Sequence, residues 1–148
     1  MTLRLMQAAA LMTVAACGSA PSSTAAQTSG ERPFTVTEVA SFSTPWAMDF
    51  LPGSGVRLTN AALVSEKEGR LWLVNANTGA RQAVSGVPQV KVAGQGGLGD
   101  VVAHPDFGGN QRIYLSYAEA GPNGTSGAAV GYGRLILGQG QPRIDGFK

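Results

Sequence analysis

Beyond residue 30 the chain is a succession of short apolar or alternating runs, each closed by glycine, proline, asparagine or aspartate. Runs of this length between turn residues are typical of β-strands. No segment repeats apolar residues at helical spacing, so the pattern predicts an all-β fold. Strands are predicted at residues 34–42, 46–51, 61–65, 70–75, 82–84, 97–104, 112–118 and 130–137, with a last short piece near Ile144.

Two of these runs share a local pattern. The strand at 46–51 carries Asp49 and closes on Pro52, and the strand at 97–104 carries Asp100 and closes on Pro105. The pattern indicates two successive four-stranded units of roughly 40–50 residues, the size of a β-propeller blade. Because a propeller needs about four blades or more to close, we expect two blades of an incomplete ring.

The first 33 residues are expected to lie outside this fold. Arg4 is the only charged side chain among the first thirty residues, and the apolar run 8–16 that follows is too short to span a bilayer. Residues 1–17 therefore read as a signal peptide, whose end, Val-Ala-Ala-Cys, resembles the lipobox of bacterial lipoproteins. We expect lipidation at Cys17, a flexible tether at 18–33 and an exported protein anchored on the periplasmic side of a membrane. An ordinary signal peptide that contains a cysteine is the alternative.

Composition excludes several classes of function. Only 14% of the 148 residues are charged and the net charge is +2, with basic residues scattered along the chain, so no nucleic-acid partner is expected. The single cysteine excludes an internal disulfide framework and a cysteine-based zinc site. The single histidine excludes a multi-histidine metal site within the chain.

A glycine-dense turn around Gln95 is the most informative local feature. The segment 94–99 matches G-x-G-x-x-G, with Glu119 at the spacing of a dinucleotide fingerprint. That fingerprint requires a helix after the last glycine, whereas two valines and Pro105 predict a strand here. The segment instead predicts a compact turn whose glycines, lacking Cβ atoms, let Gln95 and the main chain approach a flat ligand.

His104, the only imidazole, could act as a general base. We favour a turn, in which Pro105 fixes φ and the Asp106 side chain bonds local main chain. Asp49, Asp100 and Asp106 could hold calcium, but no short loop concentrates carboxylates, which favours turn and strand-end roles. By default Trp46 and Trp72 are assigned to the core, and the glycosylation sequon at Asn123 to a loop.

Several ordered motifs together resemble one family. They are PWAMDFLP at 45–52, VSEKEGRLW at 64–72, GQGGLGDVVAHPDF at 94–107, IYLSY at 113–117 and AVGYGRL at 129–135. The chain resembles the soluble pyrroloquinoline quinone (PQQ)-dependent sugar dehydrogenases of the glucose/sorbosone dehydrogenase family, in its aldose sugar dehydrogenase branch. The resemblance extends over the first third or so of the family's domain.

This resemblance implies the first two blades of a six-bladed β-propeller. It also implies oxidation of aldose sugars at the anomeric carbon to lactones, with electrons passing to PQQ, polarised by calcium, and on to an acceptor. Gln95 matches the family's PQQ-contacting glutamine, and Gly96 shapes the same turn. His104 matches a structural position, and no residue here matches the family's catalytic histidine or calcium ligands. We therefore expect an N-terminal fragment that is inactive alone; the alternative is a non-catalytic, propeller-like binding lipoprotein.

Overall fold

The computed structural model describes residues 33–53 and 60–148. The expected signal peptide, the expected lipidation site at Cys17 and nearly all of the expected tether at 18–33 lie outside the described residues. Residues 36–148 belong to one compact unit. Among the described residues, no helix has the length and apolar character needed to cross a bilayer.

The first sheet contains four antiparallel strands in chain order. The strands are β1 (Pro45–Phe50), β2 (Ala61–Glu66), β3 (Arg70–Asn75) and β4 (Arg81–Val84). β2 is buried along its whole length, as expected for an interior strand rich in alanine, leucine and valine. The two β-hairpins turn at Gly69 and Gly79, whose φ angles of 92° and 72° favour glycine.

The second sheet repeats this order. Its strands are β5 (Leu98–Ala103), β6 (Arg112–Ala120), β7 (Ser126–Ile136) and β8 (Arg143–Asp145), with one helical turn, α1 (Phe107–Asn110), between β5 and β6. A helix of four residues is too short to show a helical period, so the sequence pattern does not reveal it. The all-β fold with two successive blade-like units is confirmed, and the two sheets do not close into a ring within the described residues.

The faint sequence repeat corresponds to repeated hydrogen bonds. In the first sheet the Ala47 N–H donates to the Ser65 hydroxyl at 3.1 Å, and in the second the Asp100 N–H donates to the Ser116 hydroxyl at 2.7 Å. Both donors lie where the register of the inner strand shifts, between Pro45 and Ala47 and between residues 98 and 101. In each sheet a serine hydroxyl, buried at Ser65 and partly buried at Ser116, therefore pairs the N–H group that the bulge leaves outside the ladder.

The core lies mainly between the two sheets. Ser65, which is fully buried, donates to the Gly99 carbonyl at 2.6 Å, and the Asp49 carboxylate accepts from the Ala103 N–H at 2.7 Å. These polar contacts fix how the sheets meet. The large side chains buried around them each contribute roughly 1.5–3 kcal/mol; they are Leu63, Leu71, Leu98, Val101, Phe107, Ile113, Leu115 and Leu135.

The prediction of a strand at residues 34–42 is wrong. Residues 35–42 form no strand, and Val36 and Val39 are exposed. Alternation favours a strand only where another strand offers its free edge, and this segment pairs with none of the described strands. Instead, the Arg81 guanidinium bonds the Ser41 carbonyl and lies 5.3 Å from the centre of the Phe42 ring.

Candidate functional site

A cleft of about 360 Å³ opens at the end of the two sheets where β1 and β5 begin. The Gln95 turn forms one side of it, and the end of β6 with the start of β7 forms another. This volume is at the lower end of the range for small-molecule sites. The lining residues are Trp46, Gln95, Gly96, Gly97, Gly99, Ser116, Tyr117, Ala118, Ser126, Gly127, Ala128, Ala129 and Val130, none of which is charged.

The glycines of the turn are required by packing within the protein. Gly97 has a φ of 146°, and a Cβ there would lie 2.2 Å from the Lys67 carbonyl oxygen. A Cβ on Gly96 would lie 2.9 Å from the Lys91 carbonyl oxygen, and one on Gly99 would lie 2.6 Å from the Ser116 hydroxyl. The sequence predicts that these glycines leave room for a ligand. At Gly96, Gly97 and Gly99, however, protein atoms occupy the space next to the missing Cβ. Of the four glycines in this turn, only Gly94 has no atom within 4 Å of the position that a Cβ would take.

Lys67, in the turn between β2 and β3, holds the Gln95 turn in place. Its ammonium group donates to the Gly94 carbonyl at 2.5 Å, and its carbonyl accepts from the Leu98 N–H at 2.9 Å. Its own N–H donates to the Thr44 carbonyl at 3.1 Å. One residue therefore fixes both the Gln95 turn and the segment that leads into β1.

The Gln95 side chain is exposed and makes no hydrogen bond to the described part of the chain. Its amide offers two N–H donors and one carbonyl acceptor. Gly96, beside it, is partly buried, and its N–H donates to the Ala93 carbonyl at 2.8 Å. The turn predicted from the sequence therefore holds an exposed amide at the rim of a cleft.

Trp46 lies in the same cleft, and its assignment to the core is wrong because 52% of its surface is exposed. Trp72 is partly buried. The Arg81 guanidinium lies 4.8 Å from the centre of the Trp72 ring, a cation–π contact. Sequence reasoning missed Trp46 as a cleft residue because an aromatic residue in an apolar run is usually buried. Its place in the 45–52 motif was the only signal.

The turn at Lys67 is supported by Glu66, a buried carboxylate that is 2% exposed. The carboxylate accepts from Arg70 Nε at 2.5 Å, from Trp72 Nε1 at 2.9 Å and from the Ser43 N–H at 2.6 Å. Burial alone would raise the pKa of Glu66, but these hydrogen bonds and the Arg70 charge lower the pKa to about 2. The charged form is therefore part of the folded structure at neutral pH.

His104 lies at the opposite end of the sheets, at the close of β5. Its Nδ1 accepts from the Asp106 N–H at 2.9 Å and lies 2.9 Å from the Asn110 side-chain amide nitrogen, while its ring stacks on Tyr114 with centroids 6.2 Å apart. The geometry is that of a turn, but the expected role of the Asp106 side chain is wrong. The imidazole, and not the Asp106 carboxylate, accepts a hydrogen bond from the local main-chain N–H. The Asp106 side chain makes no capping bond to the helical turn α1.

The remaining candidates do not gather around Gln95. Asp49 accepts from the main chain of the other sheet, and Asp100 Oδ1 accepts from the Val101 N–H at 2.9 Å. Within residues 33–53 and 60–148, no three acidic, histidine or cysteine side chains form a metal-binding group. Gly99 lies inside β5, so a dinucleotide fingerprint, which requires a helix there, is excluded. Asn123 lies in an exposed turn at Pro122–Gly124.

A second, basic pocket of about 300 Å³ lies at the opposite end of the second sheet. Arg112, Arg134 and Lys148 contribute cations and Asp145 contributes a carboxylate. The Arg112 guanidinium lies 4.8 Å from the centre of the Tyr132 ring. On charge alone this pocket suits an anion better than the neutral cleft at Gln95.

Comparisons with known proteins identify the family. The sequence profile of the glucose/sorbosone dehydrogenases matches residues 42–146. Aldose sugar dehydrogenase YliI of Escherichia coli is 47% identical over 91 residues, which are 62% of this chain and 23% of that protein.

Solved structures agree with the sequence match. The soluble aldose sugar dehydrogenase of Escherichia coli in its apo-form is 42% identical, with a TM-score of 0.62 over 71% of this chain and 28% of that one. The PQQ-bound aldose sugar dehydrogenase of Streptomyces coelicolor is 25% identical, with a TM-score of 0.57 over 68% of this chain and 28% of that one. The chain thus spans about a quarter of the length of these relatives. The profile match extends over both sheets, and on that basis the chain belongs to the glucose/sorbosone dehydrogenase family.

Proposed function

We propose that this chain contributes one wall of the PQQ site of an aldose sugar dehydrogenase, with Gln95 as the residue that contacts the cofactor. The observation that carries the proposal is the exposed Gln95 amide, which bonds to none of residues 33–53 and 60–148, at the rim of a cleft and in a turn held by Lys67. The relatives support the choice of ligand, since one of them is a PQQ-bound aldose sugar dehydrogenase.

The residues of the cleft fit a planar quinone. The glycines bring main chain to the cleft edge, and the Gln95 amide can donate to a quinone or carboxylate oxygen and accept from a ring N–H. PQQ, when bound, supplies the two-electron redox chemistry by which an aldose is oxidised at its anomeric carbon to a lactone. The role we give to this chain is to bind and orient the cofactor.

The described residues do not fit a calcium site, and no step is assigned to calcium here. Gln95 and Gly96 are the proposed cofactor contacts, and His104 stays a turn residue because its Nδ1 is engaged by Asp106 and Asn110. We propose that residues 34–148 alone bind PQQ weakly and do not turn over sugar. For the whole protein, we propose that the electrons pass from PQQ to a separate acceptor.

We also propose export to the periplasmic side of the membrane, with Cys17 lipidated and residues 18–33 as the tether. The support is the lipobox-like sequence that ends in the chain's only cysteine. Labelling of cells with a radioactive fatty acid, compared between the wild type and Cys17→Ser, tests this placement. Label that persists in the variant would contradict it.

The test of the cofactor site is equilibrium dialysis of the chain against PQQ at millimolar concentrations. We expect Gln95→Ala to weaken binding roughly five- to tenfold, because one hydrogen bond is worth about 1 kcal/mol. Gln82→Ala is the matched control, since Gln82 is also exposed but lies on β4, away from the cleft. Equal loss in both variants, or no binding by the wild type, would contradict the proposal.

A second assay separates the enzyme from the non-catalytic alternative. The chain is incubated with PQQ, calcium and glucose, and dye reduction is followed. We expect binding without turnover. PQQ-dependent turnover would contradict the assignment of this chain to a partial site, and absence of PQQ binding would favour the propeller-like binding lipoprotein.

A further inference from the structure

The cleft at Gln95 has a second side, and Trp46 is its largest residue. The indole is half exposed although it lies in an apolar strand. Met48 and Phe50, which follow on the same face of β1, are also exposed, at 59% and 55%, but neither lines the cleft. Trp46 therefore differs from its neighbours in facing the space that the Gln95 turn encloses.

The internal repeat relates Trp46 to Gly99, a residue of the second sheet that lines the same cleft. Trp46 precedes the N–H of Ala47, which bonds the Ser65 hydroxyl, and Gly99 precedes the N–H of Asp100, which bonds the Ser116 hydroxyl. The two residues are thus equivalent in the two sheets, and both line the cleft. At this position the first sheet presents a large planar side chain to the cleft, whereas the second sheet presents main chain packed against Ser116.

The main chain on both sides of Trp46 is held in place. Thr44, two residues before it, accepts from the Lys67 N–H at 3.1 Å, and Ala47, directly after it, is bonded to the Ser65 hydroxyl. Ser43 is bonded to the buried Glu66 carboxylate at 2.6 Å. The turn around Lys67 therefore positions the main chain at Trp46 and at Gln95 together, and a preorganised main chain lowers the entropy lost when a ligand binds.

We propose that Trp46 is a cofactor-contacting residue whose indole forms an apolar wall for the fused rings of the quinone, while Gln95 bonds its polar edge. This inference rests on the proposed function and adds a residue to the same site. Offset stacking of aromatic surfaces contributes roughly as much as a hydrogen bond. Trp46 contacts the flat face of the cofactor, and the Gln95 amide forms directional hydrogen bonds with its edge.

The test is a titration of the ¹⁵N-labelled chain with PQQ, followed by NMR. The chain has two tryptophans, so two indole N–H signals are expected, and Trp46→Phe assigns them. Trp72 is the internal control, because it does not line the cleft and its indole N–H is bonded to the buried Glu66 carboxylate. We expect the Trp46 indole signal to shift with the same saturation curve as Gln95, while the Trp72 signal stays fixed.

Two variants of Trp46 distinguish a direct contact with PQQ from a purely structural role. We expect Trp46→Ala to weaken PQQ binding about tenfold and Trp46→Phe, which keeps a flat ring, to weaken it less than about threefold. Both variants should keep the Trp72 signal in place, which shows that the fold is intact. Benzene-1,3,5-tricarboxylate, an aromatic anion without fused rings, is the control ligand and should leave the Trp46 signal unchanged.

The outcomes distinguish the two proposals. Shifts at Gln95 without a shift at Trp46 would overturn the inference and leave the proposed function standing. Shifts at neither residue would contradict both. Equal shifts with the control tricarboxylate would also overturn the inference, since the indole would then be reporting the binding of any aromatic anion.

Discussion

At the scale of single residues, the glycines around Gln95 show that one residue type serves different purposes within six positions. Gly97 has a backbone conformation that only glycine adopts easily, and it lies against the Lys67 carbonyl. Gly94 also has a positive φ, of 55°, but open space around it. The sequence predicts that a tight turn exists here. It could not predict which glycine packs on protein, because that depends on the neighbouring hairpin.

We expect Gly97→Ala to destabilise the fold by roughly 2–4 kcal/mol, through backbone strain and the clash with Lys67. Gly138→Ala is the matched control, because a Cβ there meets no atom within 4 Å and its φ lies outside the left-handed region. Urea unfolding measures both variants. A Gly97→Ala variant as stable as Gly138→Ala would contradict the packing that we describe.

At the scale of elements, most strands could be predicted because alternating and apolar runs between turn residues depend on local sequence. β3 has the predicted bounds, and β2 extends one residue further. The run at 34–42 alternates equally well but forms no strand, since pairing needs an edge that local sequence cannot supply. Likewise, the exposure of Trp46 in the cleft depends on the bulge between Pro45 and Ala47 and on the packing of the second sheet, neither of which local sequence specifies.

The β2–β3 hairpin is the element that organises the site, and its Glu66 makes stability depend on pH. The pKa of Glu66 is lowered to about 2, from an ordinary value of 4.5. Its contribution is therefore complete above about pH 4.5 and is lost as the pH falls towards 2. The largest loss that this shift allows is about 3 kcal/mol.

We expect Glu66→Gln to be less stable than the wild type at pH 7 and to lose less of its remaining stability on acidification. Unfolding free energies measured in urea at pH 7, 4, 3 and 2.5 test this. Glu119→Gln, at an exposed glutamate on β6, is the control and should follow the wild type. If Glu66→Gln and the wild type show parallel pH curves, the buried carboxylate does not support the hairpin.

At the scale of the whole molecule, the two sheets are joined by the core and by polar contacts from Ser65 and Asp49. This arrangement places the start of β1 beside the start of β5 and so creates the cleft. The opposite end carries His104 and the basic pocket. The repeat in the sequence predicts two units. That Trp46 and Gln95 line the same cleft follows from how the two sheets pack, which no local pattern specifies.

The central claim is that the neutral cleft, and not the basic pocket, binds the quinone. Hydrogen–deuterium exchange of the chain with and without PQQ tests this most directly, because the two sites lie at opposite ends. We predict slower exchange in peptides containing residues 92–99, where Gln95 lies, and unchanged exchange at residues 104–112. Protection confined to residues 104–112, or protection at neither end, would contradict the account.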